Sequence, residues 1–193
     1  MINLNGLILS GGKSTRMGQD KGMMDYHGKP QCEYLVDILK PYCQEIFISS
    51  KENKRQNTIA DHFELESPLN GILSAFFFDP AIAWLTVPVD MPYLNSQAIE
   101  YLLRHRDPKK VATCFYDSDG KLPEPLVAIW EIKSKPLLFN FYNSGGFSPR
   151  KFLEENDVQL LQAPDPKILK NINTSEDLSL YLKQTGKTLQ SGK

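Results

Sequence analysis

One stretch near the start of the chain constrains the fold most, because an apolar run there leads directly into paired glycines and cations. Residues 4–10 are rich in Leu and Ile and predict a buried strand, which Gly11 and Gly12 follow. Three cations come within the reach of one loop: Lys13, Arg16 and Lys21. Without side chains, glycines let main-chain N–H groups approach phosphate oxygens closely. The stretch therefore predicts a strand followed by a phosphate-binding loop.

The spacing of the glycines excludes two familiar phosphate loops. A Walker A loop needs its first glycine at position 7, where this chain has Leu7, and Gly6 lies one place too early. A dinucleotide-binding G-x-G-x-x-G fingerprint needs separated glycines, whereas Gly11 and Gly12 are adjacent and Gly18 lies beyond them. The loop must belong to another class of nucleotide-binding protein.

Composition predicts one globular domain without affinity for nucleic acid or membranes. The 193 residues are 41% hydrophobic and 23% charged, and the formal net charge is −1. The longest apolar stretch, around residues 81–89, contains Pro88 and is much shorter than the roughly 20 residues of a membrane span. The first ten residues lack the basic start of a secretory signal. We expect a cytoplasmic protein.

The cysteines and histidines predict no thiolate or imidazole chemistry. The three cysteines lack a Cys-x-x-Cys spacing, and the three histidines are equally scattered. We expect buried structural thiols and a metal site, if there is one, built from oxygen ligands. The residues concerned are Cys32, Cys43, Cys114, His27, His62 and His105.

The order of apolar runs and turn signals predicts an α/β fold, a single three-layer αβα domain with a mostly parallel sheet. The predicted strands are residues 4–10, 46–48, 84–87, 111–116 and 126–130, with a short apolar run at 158–161. The predicted helices follow Pro30 and Thr174 and lie near residues 73–78, 96–104, 136–142 and 149–155. Residues 117–120 are typical of a hairpin turn. The three phenylalanines at 76–78 are expected in the core.

Asp90 is the first candidate for a metal ligand. It follows the predicted strand at 84–87, at the carboxyl end where α/β sheets bind ligands. A carboxylate there can hold a divalent cation against nucleotide phosphates, or it can simply cap the turn before Met91 and Pro92. Position alone leaves both interpretations open.

The stretch as a whole carries a long signature, L-x-G-G-x-S-x-R-M-G-x-D-K. Every fixed position is met, by Leu9, Gly11, Gly12, Ser14, Arg16, Met17, Gly18, Asp20 and Lys21. The chain thereby resembles the molybdenum cofactor guanylyltransferases, which belong to a larger group of nucleotidyltransferases with a Rossmann-like (GT-A-like) domain. Residues 67–72, 88–92, 125–128, 148–150 and 171–178 also resemble family segments, so the resemblance covers about residues 4–178. It departs at Ser67, where glycine is usual, and at Glu124, where an uncharged residue is common.

The resemblance implies an enzyme that transfers GMP from GTP to the terminal phosphate of molybdopterin, forming the guanine dinucleotide cofactor and releasing pyrophosphate. It implies catalytic roles for Arg16, Lys21 and Asp90, with Mg²⁺, or alternatively Mn²⁺, held by Asp90. Asp20 is expected to orient Lys21. The implied binding residues are Leu9, Ser10, Gly11, Gly12, Lys13, Ser14, Arg16, Lys21, Pro68, Leu69, Gly71 and Asp90. Molybdoenzyme apoproteins or their chaperones are further candidate partners.

Several points stay open. The family has an acidic residue upstream of the P-L-x-G segment, and the sequence does not rank the three candidates for it, Asp61, Glu64 and Glu66. The family also often has an Asn near the base, in a region where this chain has Ser49, Ser50 and Lys51. A cytidylyltransferase acting on the same cofactor, a sugar-phosphate nucleotidylyltransferase and a catalytically silent nucleotide-binding regulatory protein are alternatives. Gly11, Gly12 and Pro88 favour guanine, and the retained Lys21 and Asp90 favour an enzyme. We place the catalytic domain at residues 1–184 and expect a polar, frayed tail at 185–193.

Overall fold

The computed structural model describes residues 3–10, 21–51 and 57–186. The strands are β1 (Leu4–Leu9), β2 (Ile46–Ser50), β3 (Thr58–Ala60), β4 (Ala83–Pro88), β5 (Ala112–Tyr116), β6 (Pro123–Trp130) and β7 (Gln159–Leu161). The helices are α1 (Gln31–Leu39), α2 (Leu69–Phe78), α3 (Ser96–Arg104), α4 (Ser134–Asn143), α5 (Pro149–Glu154) and α6 (Ser175–Thr185), with short 3₁₀ helices at Lys21–Met23 and Pro166–Leu169. No helix in these ranges is long and apolar enough to span a bilayer.

The strands form one mostly parallel sheet in the order β3-β2-β1-β4-β6-β5-β7, as expected. Among the described strands only β6 runs against its neighbours, because it returns from β5 through the predicted hairpin turn. In that turn the Asp117 N–H donates to the Leu122 carbonyl at 2.7 Å, and Gly120 adopts a left-handed φ of +69°. The hairpin prediction is confirmed.

Helices cover both faces of the sheet and complete the three layers. On one face α1 and α3 pack against alternate strand residues such as Ile8 and Val87. On the other face α2, α4 and α5 pack against Leu7 and Trp84. The six residues of β1 and the six of β4 are all buried, because both strands are central and covered on both sides.

The expected position of the three consecutive phenylalanines is wrong for two of them. Phe76 is buried, whereas Phe77 and Phe78 are 56% and 58% exposed at the end of α2. A helix turns 100° per residue, so three consecutive side chains cannot all face the sheet. Phe77 instead stacks on His62, with ring centroids 4.0 Å apart.

Strand β3 and helix α6 differ in how well the sequence predicts them. Strand β3 was not predicted, because three residues beside a polar loop carry no usable pattern. Helix α6 begins with the expected capping box, in which Thr174 and Asp177 bond to each other's backbone. It runs to Thr185 and ends at Gly186, so the final helix passes residue 184, while the domain boundary itself stays a prediction.

The order of the strands reverses between β1 and β4, which pair in parallel and end together. Leu9 lies opposite Pro88, and the Val89 N–H donates to the Leu9 carbonyl at 3.3 Å. Open α/β sheets bind ligands in the crevice at such a switch point. Ser10, which follows β1, and the segment that contains Asp90 therefore leave the sheet side by side.

Candidate active site at the switch point

Asp90 is fixed at the switch point by backbone contacts on two sides. Its neighbour Val89 bonds to the end of β1, and its own carbonyl accepts a hydrogen bond from the Ile172 N–H at 2.8 Å. The Oδ1 atom of the Asp90 carboxylate is buried. The segment before α6 thus holds the carboxylate beside the start of the signature loop.

The negative charge of Asp90 acts on groups on two other segments. Burial, with a contribution from Asp90, raises the pKa of Tyr26 to about 12. Burial also raises the pKa of Glu124, and the charges of Asp90 and Asp117 add to that effect. Hydrogen bonding from Leu126 and the charge of Arg150 oppose it. Asp90 therefore lies within electrostatic reach of both groups.

The available ligands fit Mg²⁺ held largely by a substrate. In the described ranges no three His, Cys, Asp or Glu side chains cluster closely enough to hold a metal ion by themselves. Mg²⁺ is commonly bound by one or two carboxylates together with substrate phosphates and water. A single carboxylate such as Asp90, beside the end of β1, matches that pattern and is the kind of oxygen ligand that Mg²⁺ prefers.

A cleft of about 410 Å³ lies next to this point. It brings together residues from four segments that resemble the family and are far apart in sequence. Its lining consists of Glu66, Ser67, Pro68, Glu124, Pro125, Leu126, Phe147, Ser148, Pro149, Arg150 and Asn171. Asn171 directly precedes Ile172, whose N–H binds the Asp90 carbonyl, so the cleft adjoins the switch point.

Arg150 is the cation among the lining residues. It lies in the first turn of α5, which Ser148 caps by accepting the Lys151 N–H at 3.2 Å. Its guanidinium is 3.4 Å from Asp117 and 3.8 Å from Glu124, and its side chain is 38% exposed. These are loose ion pairs, so Arg150 can also receive an anionic group from a ligand.

The start of α2 approaches the ends of β1 and β2 very closely. A Cβ atom on Gly71 would lie 2.5 Å from Ser49 Oγ and 2.9 Å from Leu9 Cδ2. The Ser49 hydroxyl donates to Asp61 Oδ1 at 3.3 Å, and burial raises the pKa of Asp61. Of the three acidic candidates, Asp61 is therefore the one at the end of β2, whereas Glu64 and Glu66 are exposed and Glu66 lines the cleft.

The predicted binding residues have different surroundings. Pro68 lines the cleft, and Leu9, Leu69 and Gly71 are buried where α2 meets the sheet, so they shape the site by packing. The Ser10 N–H donates to the Ser49 carbonyl at 3.2 Å. Lys21 begins the 3₁₀ helix after the loop. Gly11, Gly12, Lys13, Ser14, Arg16 and Asp20 lie outside the described residues, so their roles stay predictions.

Sequence reasoning missed two residues that the structure places at the site. Asn70 is buried, and its side chain bonds to the backbone of Phe63 and Leu65, which holds residues 61–66 against α2. Phe147 lines the cleft in the turn between α4 and α5. The Asn70 position within a P-L-N-G segment offered a weak signal, whereas a single phenylalanine after two glycines offered none.

Comparison with known proteins shows the family to which the chain is similar. The family model described as the MobA-like NTP transferase domain matches residues 6–160. A molybdenum cofactor biosynthesis bifunctional protein from Synechocystis is 35% identical over 90% of this chain, which spans 52% of that relative's length. A probable molybdenum cofactor guanylyltransferase from Trichormus variabilis is 30% identical, with 93% of this chain and 91% of that protein aligned.

Solved structures show the same fold. Molybdopterin-guanine dinucleotide biosynthesis protein A from Archaeoglobus fulgidus superimposes with a TM-score of 0.77 at 19% identity, covering 95% of this chain and 100% of that one. The 2-C-methyl-D-erythritol 4-phosphate cytidylyltransferase from Thermus thermophilus gives a TM-score of 0.66 at 10% identity, covering 93% of this chain and 98% of that one. The expected nucleotidyltransferase fold is confirmed.

Proposed function

The chain belongs to the family of MobA-like NTP transferases, and from that premise we propose that it transfers GMP from GTP to the terminal phosphate of molybdopterin. Relatives that are named molybdenum cofactor guanylyltransferases and align over more than 90% of both chains support this choice of substrates. The proposal includes a cytoplasmic location and delivery of the product to molybdoenzyme apoproteins or their chaperones.

The observation that carries the proposal is the shared end of β1 and β4. Leu9 and Pro88 lie opposite each other, so the signature loop begins beside the segment that contains Asp90. A triphosphate bound by the loop's glycines and cations would extend toward the Asp90 carboxylate. The proposed donor site and the proposed metal ligand thus come from two strands of one switch point.

The reaction needs positioning and charge neutralisation more than acid–base chemistry. An oxygen of the acceptor phosphate attacks the α-phosphorus of GTP, the bond from that phosphorus to the β-phosphate bridging oxygen breaks, and pyrophosphate leaves with the bonding electrons. Arg16 and Lys21 would neutralise the leaving pyrophosphate, and Asp90 would hold Mg²⁺. When bound, Mg²⁺ supplies positive charge to the donor phosphates. No covalent bond to the protein is required, because the acceptor phosphate is itself the nucleophile.

The cleft beside Asp90 is the proposed acceptor site. Glu124, Pro125 and Leu126 at the start of β6 line it, and β6 is the neighbour of β4 on the side away from β1. Arg150 offers a cation there for an acceptor that carries phosphate. Donor and acceptor would then reach Asp90 from opposite sides, as an in-line displacement requires.

Mass spectrometry of the product tests donor, acceptor and activity together. The protein is incubated with molybdopterin, Mg²⁺ and either GTP or CTP. We expect molybdopterin guanine dinucleotide and pyrophosphate from GTP, at a rate well above that with CTP. Faster turnover with CTP would contradict the guanylyl assignment, and nucleotide binding without product from either donor would favour a silent binding protein.

A further inference from the structure

Phe147 is the most exposed of the large apolar side chains in the described part of the chain, at 65%, and it lines the cleft. Burial of a phenylalanine ring is favourable, so a ring left this exposed forgoes that gain in the free protein. The exposure is not a consequence of a loose backbone. The turn that contains Phe147 is fixed by contacts on both sides.

Glycines fix the turn on the α4 side. Gly145 adopts a left-handed φ of +86°, and the Gly146 N–H donates to the Phe141 carbonyl at 2.8 Å. A Cβ atom on Gly146 would lie 2.4 Å from the Phe141 ring, so a side chain there would force that ring to move. On the other side, Ser148 caps α5 immediately after Phe147. Both ends of the turn are therefore set by their neighbouring helices.

Ser67 fixes the turn from across the cleft. Its hydroxyl donates to the Phe147 carbonyl at 2.6 Å, although the two residues are 80 positions apart. The same Oγ accepts the Leu69 N–H at 3.2 Å, which ties the bond to the first turn of α2. Ser67 stands where the family usually has glycine, and glycine has no hydroxyl with which to make this bridge. The bridge is therefore a property of this chain's own sequence.

The position of Phe147 favours the acceptor over the donor as its ligand. The start of β6 and the first turn of α5 form one part of the cleft, and β6 lies on the opposite side of β4 from β1; residues 66–68 before α2 form the rest. Arg150, three residues after Phe147, supplies a cation in the same cleft. A ligand with a flat heteroaromatic ring and a phosphate would satisfy both groups, because aromatic rings stack in water and a guanidinium binds phosphate.

We propose that Phe147 is the stacking surface for the pterin ring of the acceptor, and that Ser67 is a positioning residue that holds it there. This inference rests on the proposed function for the identity of the acceptor. It assigns a specificity role to an aromatic side chain and to a serine at a position where glycine is usual. Stacking of a heterocycle on an aromatic side chain is worth about tenfold or more in affinity.

Steady-state kinetics with separate titrations of molybdopterin and GTP test the stacking role. Phe147→Ala should raise the KM for molybdopterin about tenfold and leave the KM for GTP unchanged. Phe147→Leu should behave like the alanine variant, because it is apolar but cannot stack, whereas Phe147→Tyr should retain the wild-type KM. Phe77→Ala is the matched control, since Phe77 is also more than half exposed but lies outside the cleft lining.

A double-mutant cycle tests the positioning role. Ser67→Ala and Ser67→Gly should each raise the KM for molybdopterin about threefold. Ser67→Thr keeps a hydroxyl and should retain the wild-type KM. Because Ser67 is proposed to act through Phe147, the Ser67→Ala/Phe147→Ala variant should be no worse than Phe147→Ala alone. Additive losses in the double variant, or a raised KM for GTP in either single variant, would overturn the inference.

Calorimetric titration of molybdopterin without nucleotide separates this inference from the proposed function. Wild-type protein that binds molybdopterin but makes no guanylylated product contradicts only the proposed function. Equal dissociation constants for wild type and Phe147→Ala contradict only the stacking role. Wild-type protein that shows no binding of molybdopterin contradicts the stacking role as well.

Discussion

Replacing Gly71 by alanine tests how closely α2 must approach the sheet beside the signature loop. In an ordinary helix interior this change stabilises by about 0.5–1 kcal/mol, because alanine restricts the unfolded chain more than glycine does. Here the new Cβ would lie 2.5 Å from Ser49 Oγ and 2.9 Å from Leu9 Cδ2. Neither neighbour can move without loss, because the Ser49 hydroxyl bonds to Asp61 and Leu9 is buried in the core.

The magnitude follows from these opposing effects. Overpacking a buried site costs about 1–3 kcal/mol, and two contacts below 3 Å place Gly71 in the upper part of that range. After the helix-propensity gain, we expect Gly71→Ala to lower the free energy of unfolding by about 1–2 kcal/mol. For a chain of this size, that corresponds to a fall in Tm of about 2–8 °C. Urea denaturation and thermal melting measure the two quantities.

Ser49→Ala supplies the matched control, because it removes the oxygen atom that lies closest to the new Cβ. The double variant Ser49→Ala/Gly71→Ala should recover about 0.5–1.5 kcal/mol relative to the sum of the single changes. The reasoning is refuted if Gly71→Ala melts at or above the wild-type temperature. It is also refuted if the two substitutions are simply additive.

Three further predictions concern metal binding, a buried carboxylate and the thiols. Asp90→Asn should reduce kcat/KM for Mg²⁺-dependent transfer about 10²–10³-fold with little change in Tm, and near-normal turnover would remove Asp90 from its metal role. Burial raises the pKa of Glu124, so the folded state favours its protonated form and loses stability as pH rises through that pKa. Glu124→Gln should therefore have a higher Tm than wild type at neutral pH, and this difference in Tm should become smaller toward acid pH. A difference in Tm that does not change between pH 4 and 8 would contradict the prediction. Burial raises the pKa of Cys43 and Cys114 to about 12. A thiol reagent at pH 8 should therefore react quickly with the cysteines only after denaturation. Fast labelling of the native protein would show the burial of these thiols to be wrong.

Local chemistry made much of the fold predictable. The central strands are rich in apolar residues because both faces of a parallel sheet are covered, and Asp117 to Gly120 have the composition of a tight turn. The capping box of Thr174 and Asp177 spans three residues, so it too is visible in the sequence. Asp90 could be picked out because it follows a buried strand directly.

Contacts between distant segments could not be predicted in the same way. Which of Phe76, Phe77 and Phe78 is buried depends on how α2 is rotated against the sheet. The position of Asp61 at the end of β2 follows from the pairing of β3 with β2, and β3 is too short to be predicted from the sequence.

The sequence by itself determined which groups the chain offers: paired glycines with three nearby cations, which predict a phosphate loop, a carboxylate after a buried strand, and the resemblance to its family. Only the tertiary structure decided how these segments meet, because the order β1-β4-β6 places the end of β1, the segment that contains Asp90 and the start of β6 next to one another. It also showed that Ser67, where the family usually has glycine, donates a hydrogen bond to the Phe147 carbonyl. The physical reason is that such contacts depend on the relative placement of elements 80 residues apart, which no local pattern of residues encodes.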